Sequence, residues 1–173
     1  MILKNGLSCI SACCLIISMA ACMATPGGQA RQTVLSTDVL VTGTQCRQAP
    51  ESWTASWITS ADGLRRMMSR CSTDRIGFAS REVPSVDFDR FGVLAVEMGR
   101  QSSAGYGFDI GKVTAVAEKQ TVTVTLGCRR PGPGAMNAQV ITSPWILIRL
   151  SAGPYRNIRV VDQDGLVLAR IEV

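Results

Sequence analysis

The chain has no histidine. That removes imidazole from each role it usually fills: the base beside a serine or cysteine nucleophile, a metal ligand, and the proton carrier that titrates near neutral pH. Lysine is almost as scarce, with only Lys112 and Lys119 beyond Lys4, and no Gly-x-Ser-x-Gly elbow occurs. A hydrolase built from this chain would need an unusual Ser-Lys or carboxylate site. Beyond residue 21 the cysteines are Cys22, Cys46, Cys71 and Cys128, with no Cys-x-x-Cys and no other ligand spacing, so neither a zinc site nor a cofactor is expected. The net charge of +5 comes from scattered arginines, adjacent only at Arg65-Arg66 and Arg129-Arg130. Nucleic acid requires a continuous basic stripe, so no nucleic-acid partner is expected and the charge reads as solubility.

What is present begins with an export signal. Lys4 supplies a short positive region, and residues 7–19 form an apolar run too short for a stable membrane span. The segment Met19-Ala20-Ala21-Cys22 is similar to a bacterial lipoprotein processing site, in which cleavage leaves a cysteine that carries lipid. Residues 1–21 are therefore expected to be a signal peptide and Cys22 the lipidated residue. An ordinary secretory signal is the alternative. Residue 23 is Met rather than Asp, which by the lipoprotein sorting pattern points to the periplasmic side of the outer membrane. Residues 22–32 hold Pro and Gly with no apolar period and read as a tether; residues 33–173 are then a single domain.

The domain is expected to be α+β and mostly antiparallel, a sandwich or a partly open barrel-like sheet, with one short helix near residues 60–71. Residues 33–42 read as a first strand. Leu64, Met67, Met68 and Cys71 recur at helical spacing behind Ser60 or Thr59 as cap. Residues 92–98 form a run that is apolar except for Glu97, as in a strand covered on both faces, whereas Thr121 to Leu126 alternate and read as half-buried. Gly111 predicts a bulge. Residues 138–142, 145–150, 158–161 and 166–173 read as further strands, the last two joined by a turn at Asp162-Gln163-Asp164-Gly165. That quartet also has the beginnings of a calcium loop, but lacks the remaining ligands and reads better as a turn. Asp87 and Asp89 would share one side of an extended chain as a conceivable carboxylate dyad; a solvated turn is the plainer reading. Three pairings are open to Cys46, Cys71 and Cys128. The expected one joins Cys46, beyond the first strand, to Cys71 in the last helical turn, leaving Cys128 buried and free.

The most unusual stretch is residues 105–150. Gly105-Tyr106, the loop Pro131-Gly132-Pro133-Gly134 and Pro144-Trp145 are spaced along one antiparallel run, and adjacent strands would bring them to one sheet edge. Rigid loops lose little entropy on docking, and Tyr and Trp are enriched at binding hot spots. Tyr106 and Trp145 as core aromatics are the alternative.

Val86-Asp87-Phe88, the run from Val93 to Gly99, Gly105-Tyr106, Pro131 to Gly134 and Gln139 to Trp145 together resemble the C-terminal domain of the protease complex subunit PrcB family. Ala104 and Trp145 depart from it, at positions where Gly and Tyr are usual. The resemblance implies a noncatalytic, often lipid-anchored envelope protein that binds a protein partner, since the family's name-giving member associates with and stabilises a surface protease. It carries over no catalytic residue. A second similarity is to chagasin-type inhibitors of cysteine proteases, where three loops in the order of Ala104-Gly105-Tyr106, Pro131 to Gly134 and Pro144-Trp145 form one edge. The Thr and Arg of those loops are absent here. It implies a protease inhibitor as the alternative function.

Overall fold

Strands with two apolar faces need cover on both sides, and the chain supplies it as a three-layer stack of helix, four-stranded sheet and five-stranded sheet. The computed structural model describes residues 31–71 and 82–173. The signal-peptide reading, Cys22 and most of the tether lie outside the described residues. The elements in chain order are β1 (Thr33–Leu35), β2 (Thr37–Gly43), β3 (Thr54–Ile58), α1 (Ala61–Cys71), β4 (Phe91–Glu97), β5 (Gly107–Glu118), β6 (Thr121–Arg129), β7 (Trp145–Ser151), β8 (Asn157–Asp162) and β9 (Val167–Glu172). One sheet runs β2-β7-β4-β3 and the other β1-β5-β6-β8-β9. Neither closes into a barrel, so the sandwich form of the expected fold is the one adopted.

Side-chain alternation distributes the core. In β4, Leu94 and Val96 point between the sheets while Val93 and Ala95 point towards α1; in β7, Ile146, Ile148 and Leu150 join the first set and Trp145 and Leu147 the second. All but Ala95 and Trp145, at 1% exposure, are fully buried. At roughly 1.5–3 kcal/mol for each buried large aliphatic side chain, these two strands carry much of the hydrophobic stabilisation. In β6, Val122, Val124 and Leu126 face inward and the intervening threonines outward, so this sheet is covered on one side only.

The helix begins where the cap predicts: Gly63 N donates to Ser60 Oγ at 3.2 Å, and Asp62 sits in the first turn. Leu64, Met67, Met68 and Cys71 are its buried face. A disulfide joins Cys46 to Cys71, and Arg47 N donates to Arg70 O at 2.9 Å beside it. No helix among the described residues is long and apolar enough to cross a membrane.

Four details differ from the sequence reading. The first strand is two strands: the chain leaves one sheet for the other at Ser36, as strands do at a sandwich corner. Residues 54–58, ahead of the helix cap, form a strand, β3, where the sequence reading expected none. The pairing of β6 with β8 is parallel, because the chain crosses through β7 in the opposite sheet before returning. Residues 138–142 are not a strand; Thr142 forms only an isolated bridge to Gln101. The bulge near Gly111 is present, as a register shift between Asp109 and Val113. Asp87 accepts from Asp89 N at 3.1 Å and caps a turn, which occupies the conceivable dyad in local structure.

Candidate functional site

Two loops meet at one end of the sandwich: residues 98–106, between β4 and β5, and residues 130–144, between β6 and β7. They are zipped together. Gln101 N donates to Thr142 O at 2.8 Å and Thr142 N to Gln101 O at 2.9 Å, while Ala104 N donates to Ala138 O at 2.9 Å and Thr142 Oγ1 to Ser103 O at 3.1 Å. Gly105 makes the close approach possible. Its φ is +111°, and a Cβ there would lie 2.7 Å from Asn137 Oδ1 and 3.3 Å from Pro131 Cγ.

The base of the second loop is fixed from the other side. Arg130 pairs with Asp162 at 3.1 Å, and the Asp162 carboxylate, 1% exposed, also accepts from Asp164 N at 3.0 Å and Leu166 N at 2.9 Å. The Asp162 to Gly165 stretch is thus the β8–β9 turn, its carboxylate bonded by its own backbone. Gln163 Oε1 accepts from Cys128 N at 2.8 Å, adding a second strap. The Cys128 thiol is half-buried and free, and burial, reinforced by the Asp162 carboxylate, pushes it up to about 11.

At the tip, Ala135 N donates to Gly132 O at 3.1 Å, with Pro133 next in the turn and Gly134 at φ +76°. Proline followed by a positive-φ glycine is what a type II turn demands. A Cβ on Gly132 or Gly134 would meet nothing within 4 Å, so the tip stands in solvent. Beyond it, Met136 is 103% exposed, Val140 50% and Ile141 59%. Anchored ends and an apolar crest are a costly arrangement for a loop with no partner.

Of the residues assigned to a binding edge, Gly105, Pro131, Gly132, Pro133 and Gly134 gather here. Tyr106 is half-buried and packs on the core between the sheets. Pro144 and Trp145 do not belong to the edge. Side-chain parity in β7 turns Trp145 to the α1 side with Leu147, at 1% exposure, and Nε1 donates to Gln45 O at 3.0 Å, so the indole's one polar group is satisfied inside. Gly43 gives it room, since a Cβ there would sit 2.6 Å from Nε1. The three-loop edge similar to chagasin therefore loses the aromatic of its third loop. Val140 and Ile141 were missed on sequence because β-branched residues near a proline read as a strand over 138–142, and Met136, between that strand and the Pro-Gly loop, was not singled out. Their lack of strict alternation was the available signal.

A second cluster lies under the helix end. Cys46, Cys71 and Glu97 place their ligand-type atoms within 4.8 Å of one another. Arg70 Nη2 donates to Glu97 Oε2 at 2.7 Å, and Oε1 is buried without a hydrogen-bond partner. While the two sulfurs are bonded to each other neither is a thiolate, so the cluster offers a cation a single carboxylate oxygen.

The zipped loops lie in one continuous stretch from β4 to β7. Residues 93–151 match the PrcB C-terminal family model. The sequence resemblance to the PrcB family holds over this stretch, which contains both strands of the doubly covered sheet centre and both loops of the site. PrcB-family domains belong to subunits associated with protease complexes. No curated protein and no solved structure matches the chain.

Proposed function

We propose that this chain is a noncatalytic envelope lipoprotein, anchored through Cys22 on the periplasmic side of the outer membrane, that binds and stabilises or regulates a protease partner. The contact is the loop crest at Pro133, Gly134, Met136, Val140 and Ile141, backed by Gly105 and Pro131. The observation that carries this reading is the exposure of Met136, Val140 and Ile141 on a loop anchored at both ends by backbone hydrogen bonds and the Arg130–Asp162 pair. A preorganised apolar surface keeps most of its contact energy on docking, because little side-chain and loop entropy remains to be lost.

The test is a photo-crosslinker placed at Met136 of the full chain in envelopes, beside a control at Thr123 on the outer face of the five-stranded sheet. Crosslinking from Met136 to one protease, lost when Ile141→Asp is added, supports the crest as the contact. Equal products from both positions, or none from Met136, would remove it. The anchor is tested separately by Cys22→Ser: loss of membrane fractionation supports lipidation, and unchanged retention sinks it.

A further inference from the structure

The four-stranded sheet ends at β3, and among the described residues no strand pairs with its outer side. Along that side lies a cleft of about 710 Å³. Ser56, Trp57 and Ile58, three consecutive residues of β3, line it together with Thr59 and Ser60 of the turn into α1, which marks a groove running along the strand edge; a groove lying over one sheet face would meet every second strand residue. The opposite wall is α1. Arg47, Arg66 and Arg70 line the cleft and, among the described residues, no carboxylate does.

Arg70 is engaged by Glu97 at 2.7 Å and by Gln48 O at 3.2 Å. The guanidinium groups of Arg47 and Arg66 have no acidic partner among the described residues. They serve different ends of the groove: Arg66 reaches back towards Gly63 in the first turns of α1, and Arg47 sits beside Arg70 at its last turn. Seven helical residues span about 10 Å. An extended chain covers that distance in two to four residues, and residues at even spacing face the same side. The whole helix is about 16 Å long, close to five extended residues, the length of β3 itself.

We propose that this cleft binds an extended acidic peptide segment, which adds to the outer side of β3 as a further strand and sets two carboxylates, at positions i and i+2 or i+4, against Arg47 and Arg66. Backbone pairing supplies the affinity and the two arginines select for acidic residues. This surface is separate from the loop crest, so the proposal does not need the crest to bind anything.

The experiment uses the full chain and about seven-residue end-blocked fluorescent peptides alternating Glu with Thr and Val, read by anisotropy. The Glu peptide is expected to bind and its Lys counterpart not. Arg47→Glu and Arg66→Glu should each weaken binding about tenfold or more at unchanged melting temperature, because both side chains are solvent-facing. Methylating alternate backbone nitrogens of the Glu peptide keeps its charge and removes the ladder donors, so binding should be lost. Equal binding of the Lys peptide, or indifference to both arginine changes, would overturn the acidic specificity. Undiminished binding of the methylated peptide would overturn strand addition. Met136→Glu should leave this titration unchanged, whatever the crest contacts.

Discussion

The two sheets of the sandwich are built to different rules. In the four-stranded sheet β4 and β7 are buried on both faces, under α1 on one side and against the second sheet on the other. In the five-stranded sheet β6 shows a buried aliphatic face and an outer row of threonines open to solvent. The first sheet is held by side chains on both sides plus a disulfide; the second relies more on strand pairing and on one buried carboxylate at the β8–β9 turn. The difference teaches where sequence change is tolerated. Damage near α1 should act through lost packing, and damage on the other sheet should matter only at its ends.

Trp145→Ala is the sharpest way to break the contrast. It removes a tryptophan that is 1% exposed and leaves Gln45 O without its indole donor, so a loss of about 3–5 kcal/mol of stability is expected, measured by denaturant unfolding. A native melting profile would mean that the helix side is not a packed core. Cys46→Ser combined with Cys71→Ser should cost about 3 kcal/mol, since the bridge spans 25 positions and restricts the unfolded chain. If that variant unfolds at the same denaturant midpoint, the bridge is not a stability element.

On the five-stranded sheet the corresponding test is Asp162→Ala. It deletes three hydrogen-bonded contacts from a buried acceptor, with an expected loss of about 2 kcal/mol. Protease nicking within residues 130–144 should rise in the same variant, because Arg130 loses its anchor; resistance equal to the parent would detach the turn from the loop.

Smaller still is the effect of the Cys128 thiol. Folding raises its pKa from 9.0 to about 11, so between those values the unfolded chain gives up the proton first and stability falls as pH rises. Alkylation at pH 8 should run about a hundredfold slower than for an ordinary thiol, and a rate matching the unfolded chain would contradict the burial. Least of all, Thr125→Val on the outer face should change stability by no more than about 0.5 kcal/mol in either direction.

How much of this was legible follows the same division. Periodicity reports burial, so the doubly apolar run at Val93 to Val96 and the alternation at Thr121 to Leu126 correctly separated covered from half-covered strands. The helix face and the Asp-Gly turn were equally local and equally readable. Trp145 was misread because a strand's parity decides which face a residue takes, and the chain alone does not say that a helix covers the opposite side. The groove at β3 was invisible for a related reason: Arg66 and Arg70 sit one turn apart on α1, but Arg47 lies some twenty residues earlier, and only the disulfide-tied return of β2's tail to α1 brings it beside them. The crest was half seen, as a rigid Pro-Gly loop with Val140 and Ile141 assigned to a strand and Met136 to nothing.

The route of the chain between the sheets also sets an order of assembly. Thr42 in β2 binds the carbonyl of Trp145 in β7, 103 positions later, and β1 waits for β5. A strand whose partner comes so much later stays unpaired through most of synthesis, and non-local pairings of this kind close slowly. During that interval Val39, Leu40 and Val41 are an exposed hydrophobic edge, with Asp38 as the one charge beside them to oppose pairing with a neighbouring chain. Half-made copies of this protein are therefore the form most in need of protection from one another.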